Sequence, residues 1–370
     1  MAENLDKIIS FIEKDLSKIS RQYEWDNSGK QVYLGNKYIN RVSFALDASY
    51  LALESSVKKG CELLITHHPL FFDSFKKIDV SGRVGEKIIF AVQSGLNILS
   101  YHTNFDLSDY STNDYFAEQL GAKIVDTLSA EGKENYYKFV VYTPENYADK
   151  IIDEIDNVGG GAIGKYSKCT FSTRGTGTFF PGPETKPFLG KQGKLERVDE
   201  YRLETIVKEE YLQDLITNVI NTHPYEEVGY DIYKLENSKT FGLGRICELE
   251  SDTSISDFIL SIQKKINIKH LRHNISNMDE KVKKFAIVTG SGSFFWKICK
   301  AKGVNLFITG DMKYHDALDA KEEGINIIDA GHFETEKMYM KYVGEALNNK
   351  FNLEVVLLDE ESTIKYVGEK

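Results

Sequence analysis

Apolar and polar residues alternate along the chain at spacings that change from segment to segment. Residues 4–20 repeat apolar positions every three or four residues, as an amphipathic helix does, and residues 84–94 show the same spacing. Residues 38–47, 62–66 and 96–101 are short apolar runs with the length of strands. This succession of strands and helices predicts a layered α/β structure.

The same order of elements returns toward the C-terminal end of the sequence. Residues 285–289, 306–309 and 325–329 are apolar runs that predict strands. A glycine turn at Gly290 follows the first of them and leads into a helix predicted to begin at Ser293. The two ends of the chain therefore have similar patterns.

The middle of the chain has a different pattern, with predicted elements in the order βαββαβ. We therefore expect residues 125–240 to form an inserted α+β domain. Residues 1–124 and 241–370 would then pair in space as one discontinuous core. A chain of 370 residues is long enough for more than one hydrophobic core.

Histidines and carboxylates follow three of the predicted strands, each at the point where the strand ends. His67 and His68 come directly after one strand and before a proline, which prevents the strand from continuing. Asp106 lies in the loop after the next strand. His332 and Glu336 begin a helix after a third strand, and their spacing of four places both on one helical face. Open α/β sheets bind ligands at these strand ends.

Three imidazoles and two carboxylates are a ligand set that suits Zn²⁺, Mn²⁺ or Fe²⁺. Five ligands exceed the normal protein contribution to one catalytic ion, whereas two ions bridged by Asp106 and Glu336 would use them all. Spacing alone supports an alternative equally well. In that alternative Asp106 caps a turn, Glu336 forms a surface ion pair and the histidines are hydrogen-bonded locally.

Four further residues are weaker candidates for the same site. His102 and His315 could orient the ligands through hydrogen bonds or transfer protons, although ordinary structural hydrogen bonding explains them nearly as well. Asp47 ends a predicted strand and could line a pocket, and Asp26 could cap a turn.

Composition and charge exclude several classes of function. With 46 Lys plus Arg against 56 Asp plus Glu, the net charge of -10 makes nucleic-acid binding unlikely. No apolar run reaches the roughly 20 residues that span a bilayer, and the first residues lack the pattern of a signal peptide, so we expect a cytoplasmic protein. The glycine-rich segments at 159–164 and 175–177 match no nucleotide-binding fingerprint and are interpreted as turns.

Four motifs occur in an order that resembles the Nif-three-like family, also named GTP cyclohydrolase I type 2 homologues. They are ITHHPLFF (65–72), YHTNFD (101–106), TGDMKYHDALDA (309–320) and GHFETE (331–336). The resemblance implies a two-lobed α/β metal-binding core. It also implies that five residues bind a pair of divalent metals, namely His67, His68, Asp106, His332 and Glu336. Asp311 stands where many relatives carry glutamate.

The middle segment is similar to the insert of the longer bacterial members of this family, which resembles PII and CutA proteins. The resemblance implies a ferredoxin-like α+β insert. It further implies a homohexamer whose metal sites face an internal cavity and meet a small-molecule ligand or substrate.

Two functions from different classes follow. The leading hypothesis is a metal-dependent hydrolase in which a water between two ions attacks a small molecule, with zinc slightly preferred over iron and manganese. The alternative is a non-catalytic metal-binding or regulatory scaffold with a ligand-sensing insert. Partner binding in transcription has no physical support from the acidic composition and is ranked last.

Overall fold

The computed structural model describes residues 2–35, 37–74 and 76–365. The strands are β1 (Glu3–Asn4), β2 (Gly29–Val32), β3 (Tyr38–Ile39), β4 (Arg41–Ala45), β5 (Leu63–Thr66), β6 (Asn97–Ser100), β7 (Lys123–Thr127), β8 (Gly132–Glu134), β9 (Tyr136–Pro144), β10 (Thr170–Phe179), β11 (Glu196–Lys208), β12 (Tyr230–Lys234), β13 (Lys239–Phe241), β14 (Arg245–Ser254), β15 (Arg272–His273), β16 (Lys281–Ser291), β17 (Leu306–Gly310), β18 (Asn326–Asp329) and β19 (Glu354–Leu357).

The α-helices are α1 (Leu5–Phe11), α2 (Tyr50–Lys58), α3 (Arg83–Ser94), α4 (Thr103–Asp106), α5 (Thr112–Leu120), α6 (Ala148–Asn157), α7 (Leu212–Thr222), α8 (Ile255–Ile266), α9 (Trp296–Ala301), α10 (Tyr314–Glu322), α11 (His332–Glu336) and α12 (Tyr339–Phe351). A π-helical turn at Ile12–Leu16 extends α1, and 3-10 helices cover Ile19–Arg21, Glu145–Tyr147, Glu209–Tyr211 and Ser293–Phe295. Among the residues that the structure describes, every helix is too short or too polar to cross a lipid bilayer.

The chain divides into two compact units. One combines Met1–Glu131 with Phe241–Lys370, and the other is Gly132–Thr240. The expected boundary at residue 125 differs from this division because strand β7 pairs with β14 of the first unit. Leu128 is also fully buried, in the same apolar cluster as Ile246 of that unit. Residues 125–131 therefore belong with the core and not with the insert.

The first sheet of the larger unit has the strand order β19-β4-β5-β6-β2, and its strands are parallel except for β2. Strands β5 and β6 are buried along their whole length, which agrees with their apolar sequences. Each fully buried Leu or Ile side chain stabilises the fold by about 1.5–3 kcal/mol. The carboxyl ends of β4, β5 and β6 meet at one edge of this sheet.

The second sheet of the same unit has the order β15-β18-β17-β16-β14-β7, with β16, β17 and β18 parallel to one another. Helix α5 connects it to the first sheet. The guanidinium of Arg245 on β14 donates a 2.6 Å hydrogen bond to Asp114 of α5, and Thr112 of α5 bonds Thr289 of β16 at 2.6 Å. These buried contacts fix α5 against the second sheet.

The unit Gly132–Thr240 has the predicted βαββαβ order. Its sheet is antiparallel throughout, in the order β10-β11-β9-β12. Helices α6 and α7 cover one face, where their Ile155 and Leu215 pack against Phe139 and Leu203. The insert therefore has its own hydrophobic core.

Candidate metal centre

Strand β5 delivers two adjacent histidines to the edge of the first sheet. His67 and His68 follow Thr66, whose hydroxyl donates to the carbonyl of His68 at 2.8 Å. The hydroxyl of Ser100, at the end of β6, donates to the same carbonyl at 3.2 Å. This double anchor fixes the turn after the strand, so the two imidazoles project in defined directions.

The imidazole of His67 is fully buried and has one nitrogen committed to the backbone. Its Nδ1 lies 3.0 Å from the carbonyl oxygen of Tyr101, so Nδ1 carries the proton and Nε2 presents a lone pair. That Nε2 has no hydrogen-bond partner among the described residues. It lies 3.7 Å from Asp106 Oδ2 and 3.7 Å from Glu336 Oε1. Buried nitrogens are seldom left without a partner, which points to a bound ligand.

His68 and His332 repeat this arrangement with carboxylates in place of the carbonyl. His68 Nδ1 lies 2.9 Å from Asp47 Oδ1, and His332 Nδ1 lies 2.7 Å from Asp311 Oδ2. Their Nε2 atoms are 3.3 Å apart and lie 3.1 and 2.9 Å from Glu336 Oε2. Metal-ligating histidines usually have such an outer carboxylate partner on the second ring nitrogen.

Glu336 stands at the centre of the cluster, and its two oxygens face different histidines. Oε1 faces His67, and Oε2 faces His68 and His332. Although the contacts of Oε2 are short, neither has hydrogen-bond geometry, so this oxygen is a buried acceptor without a donor. A carboxylate in this position could bridge two ions.

The backbone around Glu336 leaves no spare room for its carboxylate. The glycine turn predicted at Gly290 is instead part of β16, in a stretch where the register against β17 shifts. Gly290 has a φ of +68°, and a Cβ at this residue would lie 1.9 Å from Glu336 Oε1. The amide of Gly290 also donates to the hydroxyl of Thr335 at 2.9 Å. Gly290 therefore leaves the space that the carboxylate occupies, and its amide holds the helix that carries Glu336.

Asp106 ends the short helix α4 and is largely buried. Its Oδ1 accepts a 3.1 Å hydrogen bond from the hydroxyl of Thr112. Its Oδ2 is the oxygen nearest to His67 Nε2. In this geometry one oxygen is held by the protein and the other faces the cluster, so Glu336 is better placed than Asp106 to bridge two ions.

His102 lies beside the cluster, whereas His315 does not. The ring centroid of His102 is 5.1 Å from that of His67 and 5.5 Å from that of His68. Its Nδ1 lies 2.9 Å from Asp26 Oδ1. His315 is exposed on α10, with its ring against Tyr314 at 5.4 Å. The structure thus supports a role beside the cluster for His102 but not for His315.

The electrostatics of the cluster raise the pKa values of two imidazoles and shift the pKa values of the two carboxyl groups in opposite directions. Burial alone would lower the pKa of His68, but the hydrogen bond to Asp47 and the negative charge of Glu336 raise it to about 10. The pKa of His332 is raised to about 9, since Glu336 and Asp311 outweigh its burial. The surrounding imidazoles hold the pKa of Glu336 well below its usual range despite burial. Burial, with the charge of Glu336, raises the pKa of Asp106.

The donor set fits the size of a divalent ion. His68, His332 and Glu336 place three donor atoms at mutual separations of 2.9–3.3 Å. Ligands at about 2.0–2.2 Å from one zinc ion lie roughly 3–3.5 Å from each other. His67 and Asp106 add two more donor atoms next to the other oxygen of Glu336.

A cavity of about 800 Å³ opens beside the cluster. His68, Asp47 and His332 form part of its wall, together with Lys87 and Arg272. Arg272 is ion-paired with Asp329. The residues 358–364 close another side and add three carboxylates. A small molecule can therefore reach two of the three imidazoles.

The sequence did not show which carboxylate pairs with which histidine. Asp47 was a weak pocket candidate, Asp26 a turn cap and Asp311 a difference from relatives, yet each accepts from one histidine of this region. The place of Asp47 near the histidines could have been predicted, because Asp47 follows strand β4, which is parallel to β5 and ends at the same edge of the sheet. The ring of Tyr339 lies 4.9 Å from that of His67. The sequence places Tyr339 on an apolar helix face and does not predict this contact.

The fold and the cluster define a protein with a two-sheet α/β core and a histidine–carboxylate centre between the sheets. A model of the Duf34/NIF3 (NGG1p interacting factor 3) family matches residues 3–363. The chain belongs to this family.

Individual relatives match nearly the whole chain. A Halalkalibacterium halodurans protein named GTP cyclohydrolase 1 type 2 homolog is 36% identical over 339 residues, which cover 90% of this chain and 91% of the relative. A Bacillus subtilis protein of the same name is 34% identical over 94% of this chain and 93% of that protein. The crystal structure of a Bacillus cereus protein related to NIF3 superposes with a TM-score of 0.86 at 33% identity, covering 99% of each chain.

Proposed function

We propose that the cluster binds two divalent metal ions and that the protein is a metal-dependent hydrolase of small molecules. One observation carries the proposal: His67 Nε2 and Glu336 Oε2 are buried without hydrogen-bond partners in the described part of the chain, at the point where three imidazoles converge. Burying such atoms without a partner costs about 1–3 kcal/mol each, and a bound cation removes that cost.

The ligands divide into two groups that share Glu336. His68, His332 and Glu336 Oε2 would hold one ion, and His67, Asp106 and Glu336 Oε1 would hold the other. Zinc, iron and manganese all accept this set, with zinc slightly preferred for its affinity for imidazole. When bound, a pair of ions supplies Lewis acidity and lowers the pKa of a water toward about 7.

The protein residues around this centre have roles of their own. Asp47 and Asp311 fix the ring orientation of His68 and His332 and keep their Nε2 atoms directed inward. His102, anchored by Asp26, is the candidate for moving a proton to or from a substrate. Burial would raise the pKa of Asp26, but hydrogen bonds from His102 and Thr103 hold it well below the usual range.

The cavity favours small molecules of low negative charge. Its lining includes seven carboxylates and two cationic side chains, and one of these cations is paired with a lining carboxylate. Bound ions would offset part of this negative charge. The name shared by the relatives refers to GTP, whose triphosphate is poorly matched to such a lining.

We also propose that the insert is PII/CutA-like and that the chain assembles as a homohexamer. The antiparallel order β10-β11-β9-β12 with two helices on one face supports a ferredoxin-like insert. The four cysteines are free thiols, which supports a reducing, cytoplasmic location. Sedimentation of the purified chain tests the assembly.

Turnover by metal-loaded protein tests the hydrolase proposal. Small esters, amides, phosphoesters and cyclic amidines should be screened with the wild type, with His68→Ala and with His315→Ala. We expect turnover of at least one class that is lost in His68→Ala and kept in His315→Ala, since only His68 lies in the cluster. Metal binding without turnover in every class would favour the regulatory scaffold.

A further inference from the structure

A second cavity, of about 470 Å³, lies entirely within the unit Gly132–Thr240. It is on the face of the sheet opposite to α6 and α7. Leu203 of β11 packs against those helices, and Glu200 lies three residues earlier on the same strand. Since successive side chains of a strand alternate between faces, Glu200 points away from the helices and into this cavity.

Five aromatic side chains line the cavity, namely Tyr142, Phe179, Phe180, Phe188 and Tyr225. Phe179 and Phe188 lie on the ring of Tyr225, with centroid distances of 6.2 and 6.3 Å. Phe180 and Phe188 are 63% and 47% exposed, although both line the cavity. Clustered aromatic rings that remain this exposed usually mark a binding surface.

One carboxylate is held in position among these rings. Glu200 Oε1 accepts a 2.7 Å hydrogen bond from the hydroxyl of Tyr225. Its other oxygen lies over Gly177, where a Cβ would stand only 2.0 Å from it. Gly177 therefore leaves the space that this carboxylate occupies, and Tyr225 fixes its orientation.

All charged side chains that line the cavity are acidic. Glu200, Glu226 and Glu227 line the cavity, and none of the described lining residues is Lys or Arg. Glu226 also accepts the backbone amide of Lys186 at 2.8 Å. Negative carboxylates beside the electron-rich faces of aromatic rings attract cations and repel anions.

We propose that this cavity binds a small organic ammonium ion, with its charge against Glu200 and its carbon atoms against the aromatic rings. A bare divalent metal ion suits the cavity poorly, because such ions require several oxygen or nitrogen ligands at one point. The cavity also has room for more than an ion, since drug-sized ligands occupy pockets of roughly 300–1,000 Å³. This site is separate from the metal chemistry proposed above and does not depend on it.

Ligand-detected NMR titration of the full-length protein tests the site. The probes are n-butylammonium, tetramethylammonium and the neutral 1-pentanol, whose alkyl chain is one carbon longer than that of n-butylammonium. We expect the ammonium ions to bind with a Kd below about 10 mM, and 1-pentanol to bind at least about tenfold more weakly. If n-butylammonium binds more tightly than tetramethylammonium, most of the affinity comes from Glu200. If tetramethylammonium binds more tightly, most of the affinity comes from the aromatic rings.

Matched variants separate the site from general electrostatics. Glu200→Gln should weaken ammonium binding about tenfold, because it removes the charge but keeps an acceptor for Tyr225. Glu204→Gln removes the same charge from the same strand at a residue outside the cavity, and should change the Kd by less than about twofold. Tyr225→Phe keeps the ring and should cause a smaller loss than Glu200→Gln.

Three results would overturn the proposal. They are the absence of ammonium binding, equal binding of 1-pentanol, and equal losses in the Glu200 and Glu204 variants. Circular dichroism and sedimentation of each variant show whether the fold and the assembly are unchanged. If a second copy of the chain covers this face in solution, ammonium binding will be absent and the proposal fails.

Discussion

Substitution of Gly290 by alanine tests whether this glycine of β16 positions the central carboxylate. Gly290 has a φ of +68°, and a Cβ there would lie 1.9 Å from Glu336 Oε1 and 2.8 Å from its Cδ. Contacts of this kind are essentially never shorter than 3.0 Å, so the carboxylate has to move by at least about 1 Å. Such a shift removes Glu336 from both groups of donor atoms.

Gly303→Ala is the matched control for this change. Gly303 has nearly the same φ, +65°, but a Cβ there would meet none of the described residues within 4 Å. Both variants carry the strain of a left-handed alanine, about 1–2 kcal/mol. They should therefore lower the Tm by a similar amount, about 2–4 °C for 1 kcal/mol in a unit of this size.

Only the Gly290 variant should lose metal. Substitutions that disturb residues supporting metal ligands cost about 10- to 100-fold in affinity, and here the ligand itself is displaced, so we expect a loss near 100-fold. Competition with a chromophoric chelator measures the affinity, and elemental analysis after dialysis measures the retained metal. If the metal affinity of the Gly290→Ala protein is within about threefold of that of the Gly303→Ala protein, Gly290 does not position the carboxylate of Glu336.

Three further predictions concern the same unit and its insert. Glu336→Gln should weaken metal binding far more than His102→Ala, since Glu336 faces both groups of donors; equal losses in a chelator competition would contradict this assignment. In metal-free protein the raised pKa values of His68 (about 10) and His332 (about 9) keep both rings protonated at pH 7.5. Metal binding should therefore release at least one proton, and the metal affinity should increase as the pH rises toward about 9. Calorimetry in two buffers of different ionisation enthalpy counts the protons, and a count of zero would refute the pKa directions. Replacing residues 132–240 with a short flexible linker should leave a folded core that binds metal. The two ends to be joined are already close, because the amide of Glu131 donates a 3.0 Å hydrogen bond to the carbonyl of Phe241. An insoluble or metal-free product would contradict an independent core.

The central strands of the two core sheets were predictable from sequence because they are short apolar runs that the sheets bury. Predicted runs at 62–66 and 306–309 became β5 and β17 within a residue at either end. The first helix was predicted to reach residue 20, but it ends as a π-helical turn at Leu16, and a 3-10 helix follows at Ile19–Arg21. Helical periodicity does not show where a helix changes its hydrogen-bonding pattern.

The candidate site was predictable in its residues but not in its contacts. His67, His68 and Asp106 could be placed at strand ends because parallel strands share an edge. The pairing of His68 with Asp47 depends on the register of β4 against β5, which aligns Ala45 with Thr66. Periodicity does not encode that register, and the insert boundary was misplaced for a related reason, since only sheet pairing assigns β7 to the core.

Anomalous diffraction from crystals of metal-saturated protein tests the central claim most directly. Data collected at the absorption edges of zinc, iron and manganese report the identity, number and position of the ions together. We predict two peaks per chain, about 3.5–4 Å apart, with Glu336 between them. One peak would lie against His68 and His332, and the other against His67 and Asp106. A single peak, or peaks away from these residues, would contradict a two-ion centre.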